Sequence, residues 1–86
     1  MKEIIYTVTD PQGLHARPAG ALVKKAKEFS STIKLSKDGG KQADARKTFA
    51  IMGLGVKAGD TLTFTIEGED EDAAAVALEA FLKENI

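Results

Sequence analysis

Thr61-Leu62-Thr63-Phe64-Thr65-Ile66-Glu67 is the stretch that decides the fold. Leu62, Phe64 and Ile66 alternate with Thr61, Thr63, Thr65 and Glu67, the two-residue period of a strand with one apolar and one threonine-rich face. Such a strand belongs to a sheet buried on one side and open to water on the other. Helices must then cover the apolar side, so the expected class is α+β, an open-faced β-sandwich with its helices packed on one face.

Upstream, Ala58-Gly59-Asp60 is a turn, and the compact apolar run 48–54 with Gly53 and Gly55 at its end reads as a short helix. Before it, Ile33 and Leu35 alternate with Thr32, Lys34 and Ser36, and the turn residues Asp38-Gly39-Gly40 lead into a short strand near Lys41 to Ala43. From Ala16 to about Glu28, Ala19, Leu22, Val23 and Ala26, followed by Phe29, keep one helical stripe. Pro18 suits only the first turn of that helix, where its missing N–H costs nothing. Residues 3–9 alternate again, with Ile4, Tyr6 and Val8 on one face. Downstream, Asp70, Glu71 and Asp72 sit where a helix dipole favours acid, and Ala74, Ala77, Leu78 and Phe81 form the stripe of a terminal helix. The order is β-α-β-β-α-β-α, and a chain of 86 residues is expected to form a single domain, 1–86.

Composition narrows the chemistry. With no cysteine there are no disulfides, thiolate metal sites or cysteine nucleophiles. A net charge of -1 supplies no global field for nucleic acid, and the threonine-rich strand face offers neither the aromatics nor the basic surface that RNA recognition wants. No apolar run reaches signal-peptide or membrane-span length, so the expected location is cytoplasmic, without membrane insertion.

The informative segment is Gly13-Leu14-His15-Ala16-Arg17-Pro18-Ala19-Gly20. A glycine-containing loop delivers the chain's single histidine to the position just before a helix, where unpaired backbone N–H groups and the positive dipole end stabilise an anion. The same dipole disfavours the imidazolium, which suits His15 to nucleophilic attack on phosphorus. Arg17 adds a permanent charge with fork geometry for phosphoryl oxygens, and the small residues Ala16, Ala19 and Gly20 leave room for a close approach. Spacing alone also allows a polar surface histidine or a helix cap. A metal site is unsupported, because His15 has no His or Cys companion, and Ser30, Ser31 and Ser36 form no serine-histidine-acid pattern.

From Glu3 to its last helix the chain resembles the histidine-containing phosphocarrier (HPr) family of the bacterial sugar phosphotransferase system. Gly13-Leu14-His15-Ala16-Arg17-Pro18-Ala19 matches the family's active-site signature, and Leu54-Gly55-Val56-Lys57-Ala58-Gly59-Asp60-Thr61 and the acidic lead-in to the last helix match further. The resemblance implies a four-stranded antiparallel sheet covered by three helices. It implies a shuttle in which Enzyme I, charged from phosphoenolpyruvate, phosphorylates Nδ1 of His15 with help from Arg17, and the group passes to the A domain of a sugar-specific Enzyme II. The backbone of Ala16, Arg17 and Pro18 would cradle the phosphate, and no cofactor is implied. It also implies a docking face formed by Gly20, Lys24 and Lys27 with Thr48, Phe49 and Met52; Ile51 is expected in the core, and Phe49 and Met52 on the surface.

One departure bears on regulation. Many Gram-positive members carry a serine at the start of the second helix that an ATP-dependent kinase phosphorylates, and alignment across one extra residue near Gly39-Gly40 places Lys47 there. Kinase-dependent regulation in its usual form is therefore expected to be absent, with Thr48 a weak substitute acceptor. A carrier of the nitrogen branch shares the same histidine signature, and a regulatory paralogue that does not transfer phosphate shares the fold; retention of both His15 and Arg17 argues against the latter.

Overall fold

The computed structural model describes residues 1–86. Seven elements follow in the expected order: β1 (Lys2–Thr7), α1 (Ala16–Ala26), β2 (Thr32–Lys37), β3 (Gln42–Asp44), α2 (Thr48–Met52), β4 (Thr61–Glu67) and α3 (Glu71–Asn85). The strands form one antiparallel sheet in the order β1-β4-β2-β3, so the strand with the clearest alternation lies inside the sheet.

The register shows why alternation sufficed to place it. Ile4 lies opposite Phe64, Phe64 opposite Leu35, and Leu35 opposite Ala43, an apolar row crossing all four strands. The next row, Ile5, Thr63, Ser36 and Gln42, points the other way. Phe64, Leu62, Ile66, Ile33 and Leu35 are all buried under the helices, whereas Ile5 is 65% exposed on the open face. Each large apolar side chain so buried contributes roughly 1.5–3 kcal/mol. From the helices come Leu22, Ala26, Ile51, Ala74, Leu78 and Leu82. Leu82 extends the expected stripe of the last helix, while Ala77 is only half-buried.

Element ends differ from expectation by one or two residues, each for a visible reason. β1 stops at Thr7 rather than residue 9, because the N–H groups of Thr9 and Asp10 turn to the Ile86 carbonyl oxygen (2.7 and 3.0 Å). α1 stops at Ala26 rather than Glu28: the N–H groups of Glu28 and Phe29 reach three residues back, to Lys25 and Ala26, in tightened turns. α2 ends at Met52 for the same reason, with Leu54 and Gly55 bonded to Ile51 and Met52. Of the two glycines expected to terminate it, only Gly55 takes a positive φ (65°). β3 runs one residue later than Lys41 to Ala43.

The start of α3 is tied to the far end of α1 by one carboxylate. Asp70 accepts hydrogen bonds from the N–H groups of Ser30 (2.8 Å) and Ser31 (2.9 Å) and from the Ser31 hydroxyl. The Ser31 hydroxyl above all, with the Ser30 and Ser31 amides, holds the Asp70 carboxyl below its ordinary range.

Candidate functional site

The loop between β1 and α1 is built from three anchors. Asp10 caps its first turn: Oδ1 accepts the Gln12 N–H (2.8 Å), and the Asp10 carbonyl accepts the Gly13 N–H (2.8 Å). Gly13 then takes a φ of 68°, and a Cβ placed on it would lie 2.3 Å from the Val56 carbonyl oxygen. No other residue fits there without displacing backbone. The Leu14 N–H donates to that same Val56 carbonyl (3.2 Å), and the Leu14 side chain is buried. The Leu54 to Thr61 segment thus acts as the wall against which the histidine loop is seated. Asp60 shapes that wall in turn, accepting the Lys57 N–H (2.8 Å).

His15 is the N-cap residue of α1, with extended backbone (φ -86°, ψ -174°), and its carbonyl accepts the first helical bond from Ala19 (3.0 Å). Its side chain makes no capping bond, so the ring remains available. Of the readings that spacing left open, the side-chain helix cap is thereby removed. The ring is 32% exposed, so it is reachable from solvent and supported on one side. Behind it the N–H groups of Ala16 and Arg17 find no acceptor in the protein. Pro18 has no N–H to add; it is buried and lines the cavity instead.

A small cavity of about 80 Å³ at this point is lined by Asp10, His15, Arg17, Pro18, Ala21 and Asn85. Asn85 comes from the end of α3, where its amide donates to the Phe81 carbonyl (2.9 Å). The guanidinium of Arg17 belongs to none of the ion pairs and the side chain is exposed, free for an incoming anion. Two roomier hollows, about 450 Å³ beside β1 and α3 and about 420 Å³ on the open sheet face, include neither His15 nor Arg17.

Sequence reasoning missed Asp10 and Asn85. Asp10 looked like ordinary turn punctuation, yet its Oδ2 stands 3.8 Å from His15 Nε2. The only available signal was an acidic residue five positions before the histidine, which has meaning only once the loop closes. Asn85 is remote in sequence and carried no signal.

Beyond the cavity, Arg17, Gly20, Lys24 and Lys27 recur at three- and four-residue steps and so share one face of the first helix and its C-cap. All four are exposed, and none of these cations but Arg17 borders the cavity. α2 packs beside α1. Phe49 is 89% exposed and Met52 40% exposed, whereas Ile51 is fully buried, the division expected from sequence; Thr48 is half-buried. Lys47 precedes α2 as its N-cap residue, in extended conformation and without a side-chain cap.

Comparison with known proteins agrees with this geometry. The family model described as the PTS HPr component phosphorylation site matches residues 2–84. A phosphocarrier protein HPr from Lysinibacillus sphaericus is 45% identical over 84 residues, covering 98% of this chain and 94% of that one. An HPr-like protein Crh from Halalkalibacterium halodurans is 42% identical over 71 residues, 83% of each chain. Among solved structures, HPr-C-His from Thermoanaerobacter tengcongensis superposes with a TM-score of 0.91 at 39% identity, covering 99% of this chain and 94% of its own. The fold, the loop that presents His15 and these similarities agree: the chain belongs to the HPr family of phosphocarrier proteins of the bacterial phosphotransferase system.

Proposed function

We propose that residues 1–86 act as one phosphocarrier domain that accepts a phosphoryl group on His15 from phosphorylated Enzyme I and passes it to the A domain of a sugar-specific Enzyme II. The observation that carries this reading is the placement of His15: a partly exposed ring at the mouth of α1, beside two unpaired backbone N–H groups and an unpaired arginine. The N–H groups of Ala16 and Arg17 and the Arg17 guanidinium offer three sources of positive potential to the phosphoryl oxygens. None of them forms or breaks a covalent bond. The protein is an intermediate in the transfer rather than a turnover enzyme, and it works in the cytoplasm; no helix is long and apolar enough to cross a membrane.

The exposed stripe Gly20, Lys24 and Lys27, with Phe49 and Met52 and the rim residue Thr48, forms the surface on which both partners dock in turn. An apolar patch flanked by lysines suits partners with an apolar centre and an acidic rim. Regulation by serine phosphorylation is absent in its usual form, because Lys47 occupies the start of α2 and has no hydroxyl. Offered the serine kinase and ATP, the protein gains no stable hydroxyl phosphate by intact mass; a stable adduct on Thr48 would contradict this.

The test of the reading is incubation with Enzyme I and phosphoenolpyruvate. The expected product carries one phosphate that is lost in acid and survives base, and the His15→Ala protein takes up none. Unlabelled wild-type protein, or label retained by His15→Ala, would overturn the assignment.

A further inference from the structure

We infer that Asp10 is a positioning residue for the phosphoryl step: its carboxylate holds the His15 ring proton on Nε2 and leaves Nδ1 as the free nucleophile. The inference rests on the carrier reading above and adds to it a residue outside the histidine signature.

The geometry divides the labour of the carboxylate. Oδ1 is occupied by the Gln12 N–H at 2.8 Å, and the Asp10 backbone N–H is held by the Ile86 carbonyl at 3.0 Å, so the residue is held once at its side chain and once at its backbone. Oδ2 is left facing Nε2 at 3.8 Å, beyond a direct hydrogen bond and within the range of charge attraction or a bridging water. Both side chains are about one-third exposed, at 32% and 28%, which places the pair at the rim rather than in bulk water. Among the other side chains lining the cavity none carries a negative charge to compete for that proton. Arg17 and the Ala16 and Arg17 amides only donate, Ala21 and Pro18 are apolar, and Asn85, whose amide nitrogen donates to Phe81, offers only a neutral oxygen. Lys83 and Glu84 line a second hollow that also borders Asp10 and Asn85, and neither lines the histidine cavity.

A neutral imidazole carries one proton, and a carboxylate beside Nε2 selects the tautomer in which Nδ1 keeps its lone pair. That pair forms the N–P bond while the bond from phosphorus to the phosphorylated donor protein breaks, its electrons leaving with the donor. The Nε2 proton stays in place. The ring therefore becomes a phosphoimidazolium, and its new positive charge lies opposite Asp10. On transfer onward the N–P electrons return to Nδ1 and the charge disappears.

The chain has a single histidine, so its two ring nitrogens give an uncrowded ¹⁵N spectrum. The unphosphorylated wild-type protein is compared with Asp10→Asn in alkaline buffer, because the tautomer is defined for the neutral imidazole, which carries one ring proton. Asparagine keeps an oxygen for the Gln12 N–H and so preserves the turn, but removes the charge. The expected result is a proton on Nε2 in the wild type, a shift of the ring signals toward mixed tautomers in Asp10→Asn, and phosphate uptake from Enzyme I slowed about 2- to 5-fold, the size of one partly exposed charge pair. Ring signals that coincide in the two proteins, or a wild-type proton resident on Nδ1, would overturn the inference. Wild-type protein that accepts no phosphate would instead overturn the carrier reading, since the tautomer is read on unphosphorylated protein.

Discussion

Gly13 shows how much of the site hangs on one missing side chain. Its positive φ aims the following two residues at the helix start, and its bare Cα lets the loop touch the backbone of Val56 and Lys57. A methyl group there meets a carbonyl oxygen at 2.3 Å, so the wall or the loop must move. Gly13→Ala is therefore expected to lower unfolding free energy by about 1–3 kcal/mol in a urea titration, through strained φ and overlap together. It should also slow phosphate uptake, because His15 lies two residues on. Unchanged stability would show that the loop is not seated as described. The glycine was visible in the sequence as part of a motif, but its reason was not: the contact is with a residue more than forty positions away. Asp10 was hidden in the same way, since its partner across the loop exists only after folding.

The elements were more legible than their ends. β4 was readable because a strand inside a one-sided sheet alternates cleanly, and α1 because its buried residues Pro18, Ala19, Leu22, Val23 and Ala26 repeat at helical spacing. The ends of α1 and α2 were not readable, because both dissolve into tightened turns whose bonds leave no mark on apolar periodicity. α2 also separates stability from docking. Ile51 is fully buried and Phe49, two residues away, is 89% exposed. Ile51→Ala is expected to cost about 2–4 kcal/mol of stability. Phe49→Ala should change stability by no more than about 0.5 kcal/mol while weakening complex formation with Enzyme I, measured by calorimetric titration. A large stability loss in Phe49→Ala, with binding intact, would place Phe49 in the core and remove α2 from the docking face.

Across the whole molecule, the helical layer is joined to the sheet by apolar packing and by the ion pair of Lys2 on β1 with Asp72 on α3, and within the layer one carboxylate ties two helix ends together. Asp70 links the start of α3 to Ser30 and Ser31 after α1, and these contacts favour its ionised form. A carboxyl whose folded pKa lies below its unfolded value of 3.8 adds stability above that value and loses it as pH falls through the folded pKa. Asp70→Asn should accordingly lower the thermal midpoint at neutral pH, and the gap from wild type should narrow in acid below 3.8. A gap independent of pH would mean that the carboxylate charge contributes nothing. This packing keeps the mouth of α1 fixed in space, with His15 reachable, Arg17 unpaired and two amides unclaimed. The most direct test is to charge the protein with Enzyme I and phosphoenolpyruvate and map the phosphate by ³¹P and ¹⁵N NMR in alkaline buffer. A single phosphorus bonded to Nδ1 of His15 is the predicted result; phosphorus on Nε2, on a hydroxyl, or absent would contradict it.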